Sequence, residues 1–307
     1  MNDPVDAPAA SVILPVYNAA RYVESAVISV LNQSFSNFEI LLLDDGSTDT
    51  SLSILHTISA KDSRCRLVTR ENRGLVRTLN EGVELARAGI IFRMDADDIC
   101  QPRRFELQMS YLRDHPQCVA VGSDVMLIDP EGQKLRPWGV PCRHAEIDGR
   151  HMQGIGNMMV HPATAFRKAA LLRCGGYREE FRHAEDFDLY LRLAEIGELA
   201  NMPDVLLEYR QHLASIGYSH TSAQIAATDR AVAEARVRRG ITVNAESRDA
   251  VVPAGPAQID DVHRKWAWWA LSAGNVSTAR KHALQAVKRA PFAPENLRLL
   301  ACVLRGH

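Results

Sequence analysis

The chain has 307 residues, 46% hydrophobic and 24% charged, a composition typical of a soluble globular protein with one large or two modest domains. The formal net charge of −1 gives the whole molecule no excess of positive charge of the kind that attracts nucleic acid, so we predict no nucleic-acid partner. Its six cysteines form no CxxC pair, its N-terminus is acidic rather than basic, and no apolar run reaches about 18 residues, which together predict a cytoplasmic protein that at most contacts the inner membrane face peripherally.

Short apolar runs alternate with helical patterns through the first hundred residues. The predicted strands are 11–14, 38–43, 66–69 and 89–94, and the predicted helices are about 19–32, a segment around 52–58, and about 75–87. We expect Pro15 to end the first strand and Asn18 to be the N-cap of the first helix. Repeats of strand, loop and helix predict an α/β fold with a mostly parallel sheet between two layers of helices.

The pattern becomes less regular after residue 115. We predict one or two strands in 118–129, a strand and a helix in 161–177, a helix in 184–197, a linker at 249–260 and a helical tail. The spacing of alanine and leucine in the tail resembles one tetratricopeptide-type helix pair from about residue 262. The predicted division is therefore an α/β domain at 1–225 and a helical C-terminal region at 226–307.

Two acidic segments follow predicted strands. "DDGSTD" (44–49) follows the second strand and "DADD" (95–98) the fourth, so both should lie at the carboxyl edge of the sheet, where ligands bind. Crowded carboxylates repel each other unless a cation offsets their charge, and Mg2+ is typically held by one or two carboxylates plus substrate phosphates. The "DADD" segment therefore predicts a metal ion that binds together with the diphosphate of a substrate. Alternatively, one acid caps a helix that begins near Pro102.

We expect Asp44 and Asp45 to point into the same cleft, where a carboxylate can accept an N–H from a ligand base. Asp49 has the type and the position of a helix cap. In the same way, Glu185 and Asp186 lie where they could cap the helix that begins beside them. His161 and His183 are interpreted as packing or capping residues.

Five segments, in this order, resemble family 2 glycosyltransferases of the GT-A fold. They are "SVILPVYNAARYVESAVISVLNQSFSNFEILLLDDGSTD", "ENRGLVRTLNEG", "RMDADD", "HPATAFRKAALLRCGGYREEF" and "AEDFDLYLRL". The resemblance covers about residues 10–210 and leaves the tail uncovered. It implies a metal-dependent (Mn2+ or Mg2+) inverting transferase that takes a nucleotide-diphosphate sugar, with a UDP-sugar favoured, and a saccharide or lipid-linked acceptor of surface polysaccharide or glycolipid biosynthesis.

The resemblance also implies roles for single residues. Asp95 of the DxD element would contact the ribose, Asp97 would bind the metal with Asp98 sharing that role, and Asp186 would be the catalytic base. The remaining donor-binding residues implied are Pro15, Tyr17 and Asn18 around the nucleotide, Asp45 on the base, and Arg73 or Arg77. A carboxylate at a helix N-terminus tends to have a low pKa, so burial must offset the helix dipole if Asp186 is to act as a base.

Other functions remain open at this point. A nucleotidyltransferase would also use acids and Mg2+, but "PVYNAARY" stands where its glycine-rich loop would be. A receiver-like module would end near residue 120, and a glycoside hydrolase would work without metal. A catalytically inactive nucleotide-sugar-binding relative differs from an enzyme only in activity.

The tail allows two interpretations. It is basic, with eight lysines and arginines against one acid from residue 262 onward, and Trp266, Trp268 and Trp269 suit a membrane surface. The alternative is that its helices pack on the α/β domain or on a second copy of the chain.

Overall fold

A computed structural model describes residues 7–156, 158–212, 221–241 and 259–306. The strands are β1 (Ala10–Val16), β2 (Phe38–Asp44), β3 (Cys65–Thr69), β4 (Ile90–Arg93), β5 (Ile99–Cys100), β6 (Cys118–Ile128), β7 (Lys134–Trp138), β8 (Ala165–Arg167) and β9 (Glu198–Arg210). The helices are α1 (Val23–Leu31), α2 (Ser51–Ser59), α3 (Leu75–Leu85), α4 (Arg104–Asp114), α5 (His144–Met152), α6 (Lys168–Arg173), α7 (Glu185–Leu193), α8 (Thr221–Arg238), α9 (Ile259–Ser272), α10 (Val276–Arg289) and α11 (Pro294–Arg305).

The described strands form one mixed sheet in the order β3-β2-β1-β4-β8-β6-β9-β5, with β7 paired to β6. β1 to β4 are parallel, with Ile13 opposite both Leu41 and Arg93, and β8 then runs antiparallel to β4. Parallel strands are buried on both faces, which explains why β1 and β2 are apolar along nearly their whole length. The predicted α/β fold with a mostly parallel sheet is confirmed.

Apolar side chains cover both faces of the sheet. One cluster joins β1 and β2 to α1 and α4, and the other joins the opposite face to α3, α6 and α7. The helix α3 lies so close to β1 that a Cβ on Gly82 would come within 2.7 Å of Ile13 Cγ2. The two layers hold the strand ends, and the loops that follow them, in fixed positions.

Two local predictions in the first βα unit were wrong. β1 continues through Pro15 to Val16, because β4 pairs with β1 only as far as Ile13 and Pro15 needs no N–H on that side. The helix α1 begins at Val23, so Asn18 is not its N-cap. The side chain of Asn18 instead bonds to the neighbouring loop, as described below.

The predicted boundary at residue 225 falls inside α8. This helix packs through Ala231, Val232 and Ala235 on an apolar cluster that contains Phe181 and Leu191. The helix therefore belongs with the preceding domain in its packing, because residues on both sides of 225 are part of one helix on one surface. The predicted linker at 249–260 lies almost wholly outside the described residues.

The C-terminal helices α9 to α11 pack on the α/β domain, as the second interpretation of the tail proposed. Trp266 is 1% exposed and joins the core cluster of Leu127 and Leu135. A buried polar chain links the two parts: Asp129 Oδ2 accepts hydrogen bonds from Lys281 Nζ at 2.5 Å and His282 Nε2 at 3.0 Å. His282 Nδ1 lies 3.0 Å from His263 Nδ1.

This packing corrects the interpretation of the three tryptophans as a membrane surface. Trp266 is buried and Trp269 is partly buried against the core, so only Trp268, at 40% exposure, faces outward. None of the helices within the described ranges is long and apolar enough to cross a bilayer.

Candidate active site

The loops after β1 and β2 are bonded into one wall. Asn18 Oδ1 accepts the N–H groups of Thr48 at 2.8 Å and Asp49 at 3.3 Å, and the N–H of Asn18 donates to Ser47 Oγ at 3.0 Å. Asn18 has a φ of 51°, a left-handed conformation that asparagine tolerates. Gly46 has a φ of 74°, and a Cβ there would lie 2.7 Å from Asn72 N. Hydrogen bonds between the "PVYN" and "DDGSTD" segments therefore hold the two loops together.

Asp45 connects the "ENRG" loop to this wall through hydrogen bonds to its carboxylate. Its carboxylate is 4% exposed and accepts the N–H groups of Arg73 at 2.8 Å and Gly74 at 2.9 Å, together with Arg70 Nη1 at 2.9 Å. Asp44 is turned away and accepts a hydrogen bond from Thr69 Oγ1 at 3.0 Å. Of the two acids predicted to face the cleft, only Asp45 lines it.

The first cavity, named here the Asp45 cavity, has a volume of about 850 Å³. Its lining includes the predicted residues Pro15, Tyr17, Asn18, Asp45, Asp95 and Asp97. Arg73 and Arg77 are not among the lining residues, and both are exposed. Arg77 instead forms an ion pair with Glu179 at 2.8 Å. The loop therefore presents Asn72, Gly74 and Leu75 to the cavity and not the predicted arginines.

The three aspartates after β4 converge on one point. Asp95, Asp97 and Asp98 each offer an oxygen within 4.8 Å of the others. The helix that follows begins at Arg104 with Arg103 in the N-cap position, so none of the three is its cap. The alternative that one of these acids caps this helix is therefore wrong.

Each aspartate has a different environment. Asp95 forms an ion pair with the buried Arg93, and Asp97 Oδ2 lies 2.7 Å from His212 Nε2. Asp98 is fully buried and its Oδ1 accepts the N–H of Arg210 at 2.8 Å. Burial, and then the charges of Asp97 and Asp95, raise the pKa of Asp98 well above its usual value.

These residues fit a hard divalent cation. Among the described residues, Asp98 Oδ2 is buried without a hydrogen-bond partner, beside two partly exposed carboxylates. Carboxylate oxygens are the ligands that Mg2+ and Mn2+ prefer, and a positive charge there would relieve the repulsion among the acids. Asp95 and Asp97 line both cavities and Asp98 lines neither, so Asp98 would supply the buried ligand of the three.

The second cavity, the Asp186 cavity, has a volume of about 590 Å³ and shares Asp95, Asp97, Leu75 and His212 with the first. Asp186 lies in the first turn of α7, where its Oδ1 accepts the N–H of Phe187 at 2.7 Å. Burial raises the pKa of Asp186, so burial does oppose the helix dipole as the sequence argument requires. Burial, followed by the charge of Asp186, also raises the pKa of Glu185 to about 7.

Besides His212, which both cavities share, two further histidines line the Asp186 cavity. His161 is buried, with Nε2 2.8 Å from the Tyr177 hydroxyl, and burial lowers its pKa well below the usual value. Its ring packs against Phe166 and Tyr190, and the lowered pKa favours the neutral imidazole. His183 has a φ of 74° and immediately precedes the Ala184 N-cap of α7.

Sequence reasoning missed several residues of the site. Arg93 stands inside the quoted "RMDADD" segment, yet only the structure shows it buried among the acids. His212 lies two residues beyond β9, with no sequence signal for its contact with Asp97. The wall of the Asp186 cavity formed by Arg136 and Trp138 of β7 and by Lys265 and Trp269 of α9 joins segments about 130 residues apart.

Comparisons with known proteins agree with the geometry. The profile described as "Glycosyl transferase family 2" matches residues 11–176. The amylovoran biosynthesis glycosyltransferase AmsE of Erwinia amylovora is 34% identical over 204 residues, which are 65% of this chain and 75% of that protein.

Two solved structures are similar to the whole described chain. The S. aureus TarS 1–349 structure with UDP-GlcNAc has a TM-score of 0.58 at 15% identity and covers 97% of this chain and 92% of that one. The mannosyltransferase PcManGT from Pyrobaculum calidifontis, in complex with GDP-Man and Mn2+, has a TM-score of 0.55 at 18% identity, with 99% and 87% covered. At these identities the two structures establish the fold alone, which is the GT-A fold.

Proposed function

This chain belongs to glycosyl transferase family 2, and from that premise we propose that it is a metal-dependent inverting glycosyltransferase. It would move a sugar from a nucleotide-diphosphate sugar to an acceptor hydroxyl. The observation that carries the proposal is the continuous cleft in which Asp95 and Asp97 line both the Asp45 cavity and the Asp186 cavity. A donor bound across the acids would thus reach from a nucleotide pocket to a candidate base.

The Asp45 cavity would hold the nucleotide. Pro15, Tyr17 and Asn18 form one side, and Asp45 is fixed at the other by the N–H groups of the "ENRG" loop. Asp45 retains acceptor capacity for a base N–H, since a carboxylate can accept about four hydrogen bonds. We propose a UDP-sugar as donor; TarS was solved with UDP-GlcNAc, whereas PcManGT was solved with GDP-Man.

Asp97 and Asp98, with Asp95 beside them, would hold Mn2+ or Mg2+. The ion, when bound, would neutralise charge on the departing diphosphate as a Lewis acid. Arg93 holds Asp95 and the main chain of Arg210 holds Asp98. These contacts fix the carboxylates before any substrate enters, so the binding of the diphosphate needs little rearrangement of this loop.

Asp186 is the proposed base. In the transfer, the acceptor oxygen forms a bond to the anomeric carbon, the bond from that carbon to the diphosphate oxygen breaks, and the hydroxyl proton moves to the carboxylate. Since Asp186 Oδ1 accepts the N–H of Phe187, we assign the proton to Oδ2. Burial and the charge of Asp186 raise the pKa of the neighbouring Glu185, which favours its neutral form and limits the negative charge around the base.

The biological setting proposed is surface polysaccharide or glycolipid synthesis, with a saccharide or lipid-linked acceptor. The similarity to the amylovoran enzyme supports this setting. A cytoplasmic location is supported by the six free cysteines, which fit a reducing compartment. Peripheral contact with the membrane would then come through the acceptor or the exposed side of the C-terminal helices.

The test is release of UDP or GDP from UDP-glucose, UDP-galactose, UDP-GlcNAc and GDP-mannose, with Mn2+, Mg2+ or EDTA. We expect release from at least one donor only when metal is present, and loss of that release in Asp97→Asn. The control Asp114→Asn removes an exposed acid on α4 and should behave as wild type. NMR of the glycoside product would establish whether the anomeric configuration is inverted.

Other outcomes separate the alternatives. Metal-dependent UDP binding without turnover of any donor would indicate an inactive nucleotide-sugar-binding relative. Formation of pyrophosphate from a nucleoside triphosphate and a sugar phosphate would indicate a nucleotidyltransferase. Release that is unaffected by EDTA would contradict the proposed metal.

A further inference from the structure

The last two helices, α10 and α11, share one outward-facing side. They run antiparallel, since Arg280 near the start of α10 donates to the carbonyl oxygens of Val303 at 3.0 Å and Leu304 at 3.4 Å near the end of α11. Leu284 lies one turn beyond Arg280 on α10, and Leu297 lies two turns before Leu304 on α11. These three leucines therefore lie on the same side of the helix pair.

The apolar side chains on this side contact solvent. Leu284 and Leu297 are about half exposed and Leu304 is 63% exposed, whereas Leu299 on the opposite side of α11 is fully buried. The turn between the two helices adds Phe292, which is 92% exposed. Exposed apolar side chains that are grouped in this way mark an interaction surface, which single scattered residues do not.

Cations flank these apolar side chains. Between residues 276 and 305 there are six lysines and arginines against one acid, Glu295. Arg298 and Arg305 are exposed directly beside Leu297 and Leu304, and neither forms an ion pair within the part of the chain that the structure describes. We call this surface the α10–α11 face, and it consists of Leu284, Phe292, Leu297, Arg298, Leu304 and Arg305.

The charge of the α10–α11 face decides between two occupants. In a symmetric contact with a second copy of the chain, the same surface meets itself, so cations would lie opposite cations. An anionic bilayer instead offers phosphate groups to the two arginines. The leucines and the phenylalanine would enter the boundary between headgroups and acyl chains, while the long arginine side chains reach the headgroups.

We propose that the α10–α11 face docks the protein on the surface of a bilayer that contains anionic lipid. None of its residues lines the Asp45 cavity or the Asp186 cavity, so docking leaves both cavities uncovered by these side chains. The surface is also separate from the tryptophans of α9, of which Trp266 is buried. The docking does not depend on the proposed transfer reaction.

The test is flotation of the full chain with vesicles of phosphatidylcholine alone and with vesicles of equal parts phosphatidylcholine and phosphatidylglycerol. We expect binding to the mixed vesicles only, and release of the protein at high salt, because counterions screen the attraction between the arginines and the lipid phosphates. Equal binding to both kinds of vesicle, or binding to neither, would overturn the proposal.

The cations are tested with a matched pair of double variants. Arg298→Gln with Arg305→Gln should lower the partition coefficient for the mixed vesicles about 30-fold, since each basic residue at an anionic surface contributes about fivefold. The control is Arg103→Gln with Arg113→Gln, which removes two exposed arginines at α4 and should bind like wild type. An equal loss in both double variants would mean that net charge, and not this face, determines binding.

The apolar contribution is tested in the same assay. Phe292→Ser should lower the partition coefficient about 10-fold, because the lipid boundary no longer receives the aromatic ring. Val237→Ser on α8 is the control, since Val237 is 81% exposed and lies outside this face. Urea denaturation of each variant shows whether the fold is retained, and binding by a folded Phe292→Ser variant at the wild-type level would contradict the proposed insertion.

Sedimentation velocity without lipid tests the second occupant. A dimer that dissociates in Phe292→Ser, together with an absence of vesicle binding, would assign the face to self-association and overturn the proposal. Vesicle binding requires neither donor nor metal. Failure of the proposed transferase function, seen as no metal-dependent release from any donor, is therefore distinguishable from failure of the docking surface.

Discussion

The two cavities of the cleft are built in different ways. The Asp45 cavity is formed mainly by loops that follow consecutive parallel strands within the first hundred residues. The Asp186 cavity combines the same acid loop with α7, β7, the end of β9 and α9, which are distant in the sequence. A pocket made from strand-end loops depends on local segments, whereas a pocket closed by later elements depends on how those elements pack.

The largest effect expected is on catalysis at the Asp186 cavity alone. Asp186→Asn should lower transfer about 10³-fold, because the amide cannot take the acceptor proton as the carboxylate does, while UDP binding with Mn2+ stays within a factor of two. Initial rates and calorimetric UDP titrations measure the two quantities. Comparable losses of transfer rate and of UDP affinity would contradict the assignment of the base to one cavity and of the nucleotide to the other.

The second prediction concerns the attachment of α9 and α10. Asp129→Asn should lower the free energy of unfolding by about 3 kcal/mol, since Lys281 and His282 would lose their buried carboxylate. Urea denaturation measures the change, with Asp114→Asn as the exposed control. A change below about 0.5 kcal/mol would show that the polar chain does not hold the C-terminal helices in place.

The third prediction concerns His151, a buried histidine next to α7, the helix that carries Asp186. His151 packs against Phe187 and Tyr190 of α7, and burial lowers its pKa to about 4. Between about pH 6.5 and 4 the unfolded chain binds a proton at this position that the folded chain does not, so stability falls as pH falls. The loss from pH 7.5 to pH 5 should be about 2 kcal/mol for this group.

Urea denaturation at both pH values measures this loss in wild type and in His151→Gln. The variant can be less stable overall, but its stability should depend less on pH by that amount. An unchanged pH dependence would contradict the assignment of a buried neutral imidazole.

The smallest effect is expected in the Asp45 cavity. Gly46→Ala introduces a Cβ at a positive φ and 2.7 Å from Asn72 N, which should displace the loop and weaken UDP binding about 10-fold, equivalent to about 1.4 kcal/mol. Gly149→Ala on α5 is the control, since a Cβ there meets nothing within 4 Å. Equal UDP affinities in the two variants would show that the wall tolerates this change.

The difference between the cavities also explains what could be predicted. The fold and the convergence of Asp45, Asp95 and Asp97 followed from apolar runs and acids at strand ends, since parallel strands bring such loops together. Arg73 and Arg77 were expected at the nucleotide, but a loop in which Asp45 binds the N–H groups of Arg73 and Gly74 leaves both side chains in solvent.

Contacts between segments that are distant in the chain leave no comparable pattern in the amino-acid sequence. Asn18 has the residue type of an N-cap, and only the position of the Thr48 loop shows that it bonds across to that segment. The predicted boundary at 225 lies beyond the segments that carry the resemblance, and no local pattern there reveals that α8 continues across it. The contact of Lys265 and Trp269 with Arg136 likewise depends on how α9 docks against β7.

The helix α9 contributes to both cavities, with His263 and Trp266 on the Asp45 side and Lys265 and Trp269 on the Asp186 side. A substitution in this helix therefore alters the lining of the candidate active site, although the helix lies far from the strand-end loops in the sequence. Under the proposed function, a chimaera that carries a relative's residues 259–306 would change donor and acceptor recognition together.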